Sequence, residues 1–156
     1  MTRQVWAPWR LEYIERDDED SDRCIFCDPD EHLVIHRGEL AFVLLNRFPY
    51  TSGHVMVAPL RHEGRFGGLG DAEALEIHRL AATAVATLEG EYGAQGLNVG
   101  WNLGRAAGAG IIDHLHLHVV PRWVGDTNFM PVLGDVRVIP EALEATAERL
   151  RTAWPG

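Results

Sequence analysis

The most telling absence in this 156-residue chain is lysine, because all 14 of its basic residues are arginine. Every mechanism that needs a lysine amine is excluded, including a P-loop lysine, a Schiff base and a serine–lysine dyad. Basic charge is also scarce overall, since 23 acidic residues leave a net charge of −9. Non-specific binding to nucleic acid or to an anionic membrane needs a basic surface. We therefore expect neither a nucleic acid nor a membrane as partner.

Cysteine and long apolar runs are scarce as well. No apolar segment approaches membrane-spanning length and no apolar signal segment opens the chain, so the expected location is cytoplasmic. Hydrophobic residues still make up 46% of the chain, enough for one globular domain. The only two cysteines, Cys24 and Cys27, have the spacing of a metal or redox site rather than of a disulfide framework.

The hydrophobic pattern predicts one α+β domain over residues 1–156. An apolar arm and an acidic loop occupy residues 1–23, the core spans 24–131, and a C-terminal helix segment spans 132–156. We expect an antiparallel sheet of about five strands with two helices. The strand-like runs are 33–36, 41–45, 54–59, 97–103 and 111–120.

The clearest helical pattern follows a glycine-rich break at residues 64–70. Asp71 is the expected N-cap of this helix, and Gly90 and Gly93 are expected to end it. Apolar residues between these limits recur at the spacing of an amphipathic helix. Pro121, which lacks an N–H group, is expected to end the pairing of the last strand.

Three alternating histidines are the most informative feature of the chain. A period of two places His114, His116 and His118 on one face of the predicted strand and Leu115 and Leu117 on the other. The strand rise separates neighbouring histidines by ~7 Å and the outer two by ~13 Å. Since a Zn–N bond is about 2.1 Å, His114 and His118 cannot bind one ion. Either a neighbouring pair binds a metal, or the three histidines have different roles.

A loop of small residues, Gly104–Gly110, lies just before the histidines. Glycine and alanine allow backbone N–H groups to approach phosphate oxygens closely. Beside a row of candidate nucleophiles, the loop is interpreted as a phosphate cradle. It is neither a Walker loop, because it has no lysine, nor a dinucleotide-binding fingerprint, because a strand rather than a helix is predicted to follow it.

The histidine pattern, followed by Val119 and Val120, resembles the motif of the histidine triad (HIT) superfamily. Other segments resemble its fragile-histidine-triad branch of dinucleoside polyphosphate hydrolases, namely Leu45–Pro49, Gly53–Pro59 and Val119–Arg122. A third set resembles bacterial diadenosine tetraphosphate phosphorylases, namely Trp6–Arg10, the cysteine pair and Gly125–Pro131. The resemblance covers most of residues 6–131 and implies a HIT-like fold.

The resemblance also implies a mechanism. His116 is the implied nucleophile, which attacks an α-phosphorus to form a nucleotidyl-histidine that water or phosphate then captures. His118 would contact the phosphate and assist the leaving group. Either backbone carbonyls or His54 would orient the nucleophile, and His54 also fits a buried core histidine. The implied nucleotide-binding residues are Asn46, Asn102, His118 and the backbone amides of Gly108, Ala109, Gly110 and Ile111.

One departure from the family pattern lies in the small-residue loop. Many relatives have Gly-Gln followed by serine or threonine before the first histidine, where this chain has Ala109-Gly110-Ile111. Backbone amides would therefore carry more of the phosphate binding. The departure favours the phosphorylase-like subgroup over a plain hydrolase or phosphoramidase.

The cysteine pair needs two more ligands to form a structural zinc site. The resemblance implies that His62 and His114 complete it, which would give a closed Cys₂His₂ site and leave His116 and His118 free for chemistry. The alternatives are a reduced, unmetallated pair and a redox pair.

Several functions remain open at this level. The favoured one is nucleotidyl transfer or hydrolysis on dinucleoside polyphosphates, with nucleoside phosphoramidate hydrolysis as the nearest rival. A metalloenzyme with a catalytic His-x-His ion and a non-catalytic, nucleotide-binding regulatory protein are the others. A small-molecule nucleotide is the expected partner, and the resemblance suggests a homodimer or a higher homo-oligomer.

Overall fold

The computed structural model describes residues 24–126 and 141–156. The sequence interpretations of residues 1–23, including Trp6–Arg10, and of Thr127–Pro131 lie outside the described residues. No helix in the described ranges is both long enough and apolar enough to cross a membrane.

Five strands form one antiparallel sheet, as the sequence predicts, in the order β1-β2-β3-β5-β4. Two α-helices accompany it in the described residues. In chain order the elements are β1 (Val34–Arg37), β2 (Ala41–Leu45), β3 (Val55–Pro59), α1 (Asp71–Tyr92), β4 (Gly96–Trp101), β5 (Leu117–Arg122) and α2 (Leu143–Ala153). Short 3₁₀ turns at Phe66–Gly68 and Arg105–Ala107 interrupt two of the loops.

The last strand differs from its predicted span in two ways. It begins at Leu117 rather than at residue 111, because the amide of Leu115 donates to the Glu63 carbonyl, 2.8 Å away, instead of joining the sheet. Pro121 does not end the strand, since it pairs with Leu97 and β5 continues to Arg122. Pairing with β3 does stop before Pro121, at Val119.

The limits of α1 also differ from the prediction. Gly70 is the N-cap and Asp71 the first helical residue, because the Glu73 carboxylate accepts the Gly70 N–H and closes the first turn. Gly90 lies inside the helix, where the long apolar face of α1 overrides its weak helical propensity. Gly93 ends the helix as predicted, in a left-handed conformation (φ 57°) that glycine adopts without strain.

The two faces of the sheet have different cores. Both helices pack on one face, where Ile77, Leu88 and Leu150 meet Val43 and other strand residues. The opposite face carries a smaller apolar cluster, here called the second-face cluster, that consists of Phe26, Val34, Phe42, Leu44, Met56 and Ala58. His118 pairs with Met56 across β3 and β5, which places His118 on this face, opposite the one that carries the two described helices. The predicted alternation is confirmed for the strand, because Leu117 and Val119 lie in the helix-side core.

Candidate active site and metal centre

His54 and His118 form a hydrogen-bonded pair at the centre of the sheet. The backbone N–H of Tyr50 donates to His54 Nδ1 at 3.1 Å, so the proton of a neutral His54 lies on Nε2. That nitrogen is 2.9 Å from His118 Nδ1, which must accept the hydrogen bond. A neutral His118 consequently carries its own proton on Nε2. A backbone amide on one loop thus sets the tautomers of two imidazoles.

His116 has the opposite tautomer. Its Nδ1 lies 2.9 Å from the His114 carbonyl oxygen, which can only accept a hydrogen bond, so Nδ1 carries the proton. Nε2 of a neutral His116 therefore has the free lone pair. The ring is also stacked on Phe26, with centroids 4.7 Å apart, and lies edge-on to His118 at 5.0 Å. The site therefore holds a lone-pair nitrogen on His116 close to a ring whose Nε2 carries a proton.

Burial keeps the site histidines neutral. Desolvation lowers the pKa of His118 to about 4, and the neighbouring His116 adds to this effect. Desolvation also lowers the pKa of His116, against the raising effect of its hydrogen bond to the His114 carbonyl. Both rings are consequently neutral near pH 7, each with one N–H group and one lone-pair nitrogen. A neutral imidazole can act as a nucleophile.

The two predicted nucleotide-binding asparagines have different surroundings. The Asn102 amide lies 3.4 Å from His118 Nε2 and lines a small pocket together with His116, Gly64 and Phe66. The structure therefore brings Asn102 to the histidines. Asn46 uses its side-chain oxygen to accept the Phe48 N–H at 2.9 Å, which is ordinary turn chemistry. Its backbone N–H donates to the His54 carbonyl and so helps to position that histidine.

The small-residue loop divides into two pairs of amides. The N–H groups of Gly108 and Ala109 donate within the loop, to the carbonyls of Arg105 and Gly104, at 2.9 and 3.2 Å. Those of Gly110 and Ile111 have no hydrogen-bond acceptor among the described residues. Ile111 also lines the pocket beside His116. Of the four predicted amides, the structure leaves these two open to an anion.

Cys24, Cys27, His62 and His114 come together as one cluster, with a ligand atom from each within 4.8 Å of the others. His114 Nδ1 lies 3.3 Å from Cys24 Sγ and 3.6 Å from Cys27 Sγ, and His62 Nδ1 lies 3.2 Å from Cys27 Sγ. Tetrahedral zinc with bonds of 2.3 and 2.1 Å places sulfur and nitrogen about 3.6 Å apart. These spacings fit a Cys₂His₂ ion.

The surroundings of the cluster also fit a metal. His114 is fully buried and its Nε2 donates to the Pro59 carbonyl at 2.8 Å, which leaves Nδ1 free to be a ligand. Burial and the adjacent Cys24 raise the pKa of the Cys27 thiol, so thiolate character there requires a cation that displaces the proton. The donor set would hold zinc in a closed site that offers no position for a substrate.

Two residues that the sequence interpretation did not single out support this centre. Phe26, between the two cysteines, is 3% exposed and contacts the rings of both His114 and His116. Glu63 is 7% exposed and receives hydrogen bonds from Arg61 and from the side chain and backbone of Arg65. These hydrogen bonds, of which the one from the Arg65 side chain has the largest effect, lower the pKa of Glu63 to about 2. Phe26 could have been noticed in the sequence, because it is an aromatic residue between the two cysteines. Glu63 could not, because His62-Glu63-Gly64 has the pattern of an exposed loop.

Comparison with known proteins gives concordant results. A family model described as the HIT domain matches residues 29–124. An AP-4-A phosphorylase from Mycobacterium tuberculosis (strain H37Rv) is 35% identical over 97% of this chain and 84% of its own length. A bis(5'-adenosyl)-triphosphatase from Dictyostelium discoideum is 31% identical over 78% of this chain and 69% of its own length.

A solved structure shares the architecture as well. A Zn-bound histidine triad family protein from Mycobacterium smegmatis superposes with a TM-score of 0.70 at 27% identity. The match covers 86% of this chain and 94% of that protein. The five-stranded sheet with its helices is thus the fold of that family.

Proposed function

Because the chain belongs to the HIT domain family, we propose that this nucleotide-processing enzyme cleaves dinucleoside polyphosphates at the α-phosphate through a nucleotidyl-histidine on His116. The observation that carries the proposal is the pair of opposite tautomers. The His114 carbonyl directs the lone pair of His116 to Nε2, while His54 directs the proton of His118 to Nε2. A nucleophile and a hydrogen-bond donor on adjacent rings are two groups that favour phosphoryl transfer to histidine.

The reaction would proceed in two balanced steps. Nε2 of His116 attacks the α-phosphorus and forms a P–N bond, while the P–O bond to the rest of the polyphosphate breaks. The electron pair remains on the leaving polyphosphate oxygen, which departs as an anion and accepts a hydrogen bond from the Nε2–H group of His118. In the second step phosphate or water attacks the same phosphorus, the P–N bond breaks, and its electron pair returns to Nε2 of His116. Phosphate attacks through an anionic oxygen, and attacking water releases its proton to solvent.

Charge builds on the non-bridging oxygens during both steps. The open amides of Gly110 and Ile111 and the Asn102 side chain are suitable donors, since aligned N–H groups stabilise such oxygens without a lysine. The relatives support a nucleotide substrate, and the 35% identity to an AP-4-A phosphorylase favours phosphate over water as the acceptor.

A structural zinc in the Cys24, Cys27, His62 and His114 cluster belongs to the same proposal. It would tie the Cys24–Cys27 turn to the loop that carries His62 and to the segment that leads into the nucleophile. The cluster also argues against a catalytic His-x-His metal site. His114 directs its free nitrogen toward the two sulfurs, whereas the Nδ1 of His116 is hydrogen-bonded to a carbonyl.

The proposed assembly is a homodimer joined along β4, with a small-molecule nucleotide as the only other partner. At the other edge of the sheet, Arg151 bonds to the carbonyls of His32 and Val34 beside β1. On β4, by contrast, Asn98, Val99 and Gly100 are exposed. An open edge that carries an exposed valine is ready to pair with a second copy.

Product analysis with diadenosine tetraphosphate tests the proposed reaction. With inorganic phosphate we expect ADP plus ATP, and a hydrolase would instead release AMP plus ATP without phosphate. A nucleoside phosphoramidate in parallel reactions examines the rival activity. If the protein binds nucleotides but converts none of these substrates, it is a regulatory binding protein instead.

The nucleophile is tested in the same assay with His116→Asn. We expect turnover to fall by at least about 10⁴-fold while AMP binding persists, because the amide keeps the shape of the site but cannot form the phosphorylated intermediate. His78→Asn, an exposed histidine on α1, is the matched control and should leave turnover unchanged. Full activity of His116→Asn would contradict the proposed mechanism.

A further inference from the structure

Phe26 is the residue through which the cysteine turn contacts the nucleophile. It lies between Cys24 and Cys27, in a turn closed by hydrogen bonds from the amides of Cys27 and Asp28 to the Cys24 carbonyl. Its ring packs into the second-face cluster and is nearly parallel to the His116 imidazole, at an interplanar angle of 27°. The same ring lies 5.1 Å from that of His114.

The stacking removes a freedom that the hydrogen bond of His116 leaves open. A single bond from Nδ1 to the His114 carbonyl still allows the imidazole to swing about that contact. The face of Phe26, 4.7 Å away, limits that motion from one side. Together the two contacts determine where Nε2 points, which matters because small errors in aim cost a displacement reaction heavily.

The stacked ring also faces a charge that appears only during the reaction. When Nε2 of His116 bonds to phosphorus, its lone pair is used and Nδ1 still carries its proton, so the imidazole becomes cationic. The negative face of an aromatic ring attracts a cation stacked on it, and the attraction grows where water is excluded. His116 and Phe26 are 7% and 3% exposed, so water is largely absent from this contact.

We propose that Phe26 is a positioning residue for His116, and that its ring aims Nε2 and stabilises the positive charge of the nucleotidylated imidazole. The role rests on the proposed function, because it requires His116 to be the group that attacks phosphorus. A stabilisation that arises only as the bond forms raises the rate of the chemical step without strengthening ground-state nucleotide binding. The role therefore predicts a change in kcat with KM nearly constant.

Fluorinated phenylalanines at position 26 give the sharpest test, because they keep the shape of the ring while they withdraw negative charge from its face. Single-turnover formation of the nucleotidyl-histidine is measured by rapid quench with diadenosine tetraphosphate, from 4-fluoro to pentafluorophenylalanine. We expect the rate to fall progressively, by about 10-fold at the end of the series. The Kd for AMP should change by less than about 2-fold.

Phe42 supplies the matched control. It belongs to the same second-face cluster and is fully buried, yet among the described residues its ring contacts no histidine. The same fluorinated series at Phe42 should leave the rate within about 2-fold of wild type. Phe26→Leu and Phe42→Leu extend the comparison, and only Phe26→Leu should lower kcat with KM nearly constant.

The outcomes separate the two hypotheses. A nucleotidyl-histidine that forms at one rate throughout the Phe26 series overturns the role of Phe26 alone, and so does an equal fall in the Phe42 series. If wild-type protein forms no such adduct, the proposed function is overturned and the role of Phe26 with it. The fluorinated variants enlarge the ring only slightly, and the same series at the equally buried Phe42 measures the effect of that added volume, so the test does not depend on whether the leucine variants fold.

Discussion

At the scale of single residues, backbone groups determine which nitrogen of each histidine is reactive. The Tyr50 amide acts on His54, the His114 carbonyl acts on His116, and the Pro59 carbonyl acts on His114 itself. His118 depends on its neighbour His54. The three alternating histidines are therefore chemically distinct although their spacing in the sequence is uniform.

The burial of His118 makes the stability of the protein depend on pH. Its folded pKa of about 4 lies below the unfolded value of about 6.5, so the unfolded chain binds the proton first as pH falls. The contribution of His118 is fully present above pH 6.5 and is lost as pH falls toward 4. From pH 7 to pH 5 we expect it to lower the free energy of unfolding by about 2 kcal/mol.

The variant His118→Asn removes this contribution. Urea unfolding at both pH values should show a smaller decrease for the variant than for wild type, because the asparagine does not titrate. Comparing the two proteins isolates His118 from the other buried histidines. Equal pH dependence in both proteins would show that His118 titrates normally in the folded state.

At the scale of elements, two loops meet backbone to backbone beside the active site. Leu115 donates to Glu63, and a Cβ on Gly64 would lie 2.8 Å from Asp113 Cα. Glu63 holds the first loop through Arg61 and Arg65, as described above. This contact, rather than the sheet, supports the segment that carries His114 and His116.

Gly64→Ala tests that contact. The added methyl group collides with backbone that cannot easily give way, so we expect the free energy of unfolding to fall by about 1–3 kcal/mol. Gly67→Ala in the same loop is the control, because nothing lies within 4 Å of its Cβ position. Denaturant unfolding of the two variants should differ clearly, and equal stability would mean that the loops can move apart.

The Cys24, Cys27, His62 and His114 cluster joins three separate segments of the chain, so the proposed zinc would link elements that lie far apart in the sequence. We expect about one zinc per chain after gentle purification. Elemental analysis should show that Cys24→Ser loses it, since one ligand of the closed site is gone. His32→Asn, an exposed histidine outside the cluster, should keep it. Metal-free wild-type protein would contradict the proposed zinc site.

Element boundaries show where sequence pattern stops being sufficient. The alternation predicted the opposite faces of Leu117 and His118 correctly, because side-chain direction follows from the extended backbone there. It did not reveal that β5 begins only at Leu117, since that limit depends on the distant Glu63. The same holds for Gly90, whose place inside α1 depends on what the helix packs against.

At the scale of the whole molecule, the sheet has two unlike edges. At the β1 edge, an arginine of α2 contacts the backbone, whereas residues of β4 at the other edge are exposed. The proposed dimer forms along the β4 edge. Val99 is 49% exposed there. Val99→Lys places a charge on the edge, the usual way in which proteins block strand pairing.

We expect this substitution to shift the protein from dimer to monomer, as measured by light scattering coupled to size-exclusion chromatography. Val124→Lys is the control, because Val124 is 91% exposed but lies outside the strands, so its dimer should persist. A wild-type monomer, or a dimer that is indifferent to Val99→Lys, would contradict assembly through β4.

The sequence alone predicted the family, the sheet with its helices, the face of His118 and the four residues that come together as the Cys/His cluster. The sheet, the helices and the direction of the strand side chains follow from local periodicity, whereas the family and the members of the cluster follow from the resemblance of motifs along the chain. Only the tertiary structure decided which nitrogen of each histidine is free, which loop amides remain open, and that Phe26 stacks on His116. Each of these depends on the exact geometry of a hydrogen bond or ring contact in the folded chain, which the sequence pattern does not specify.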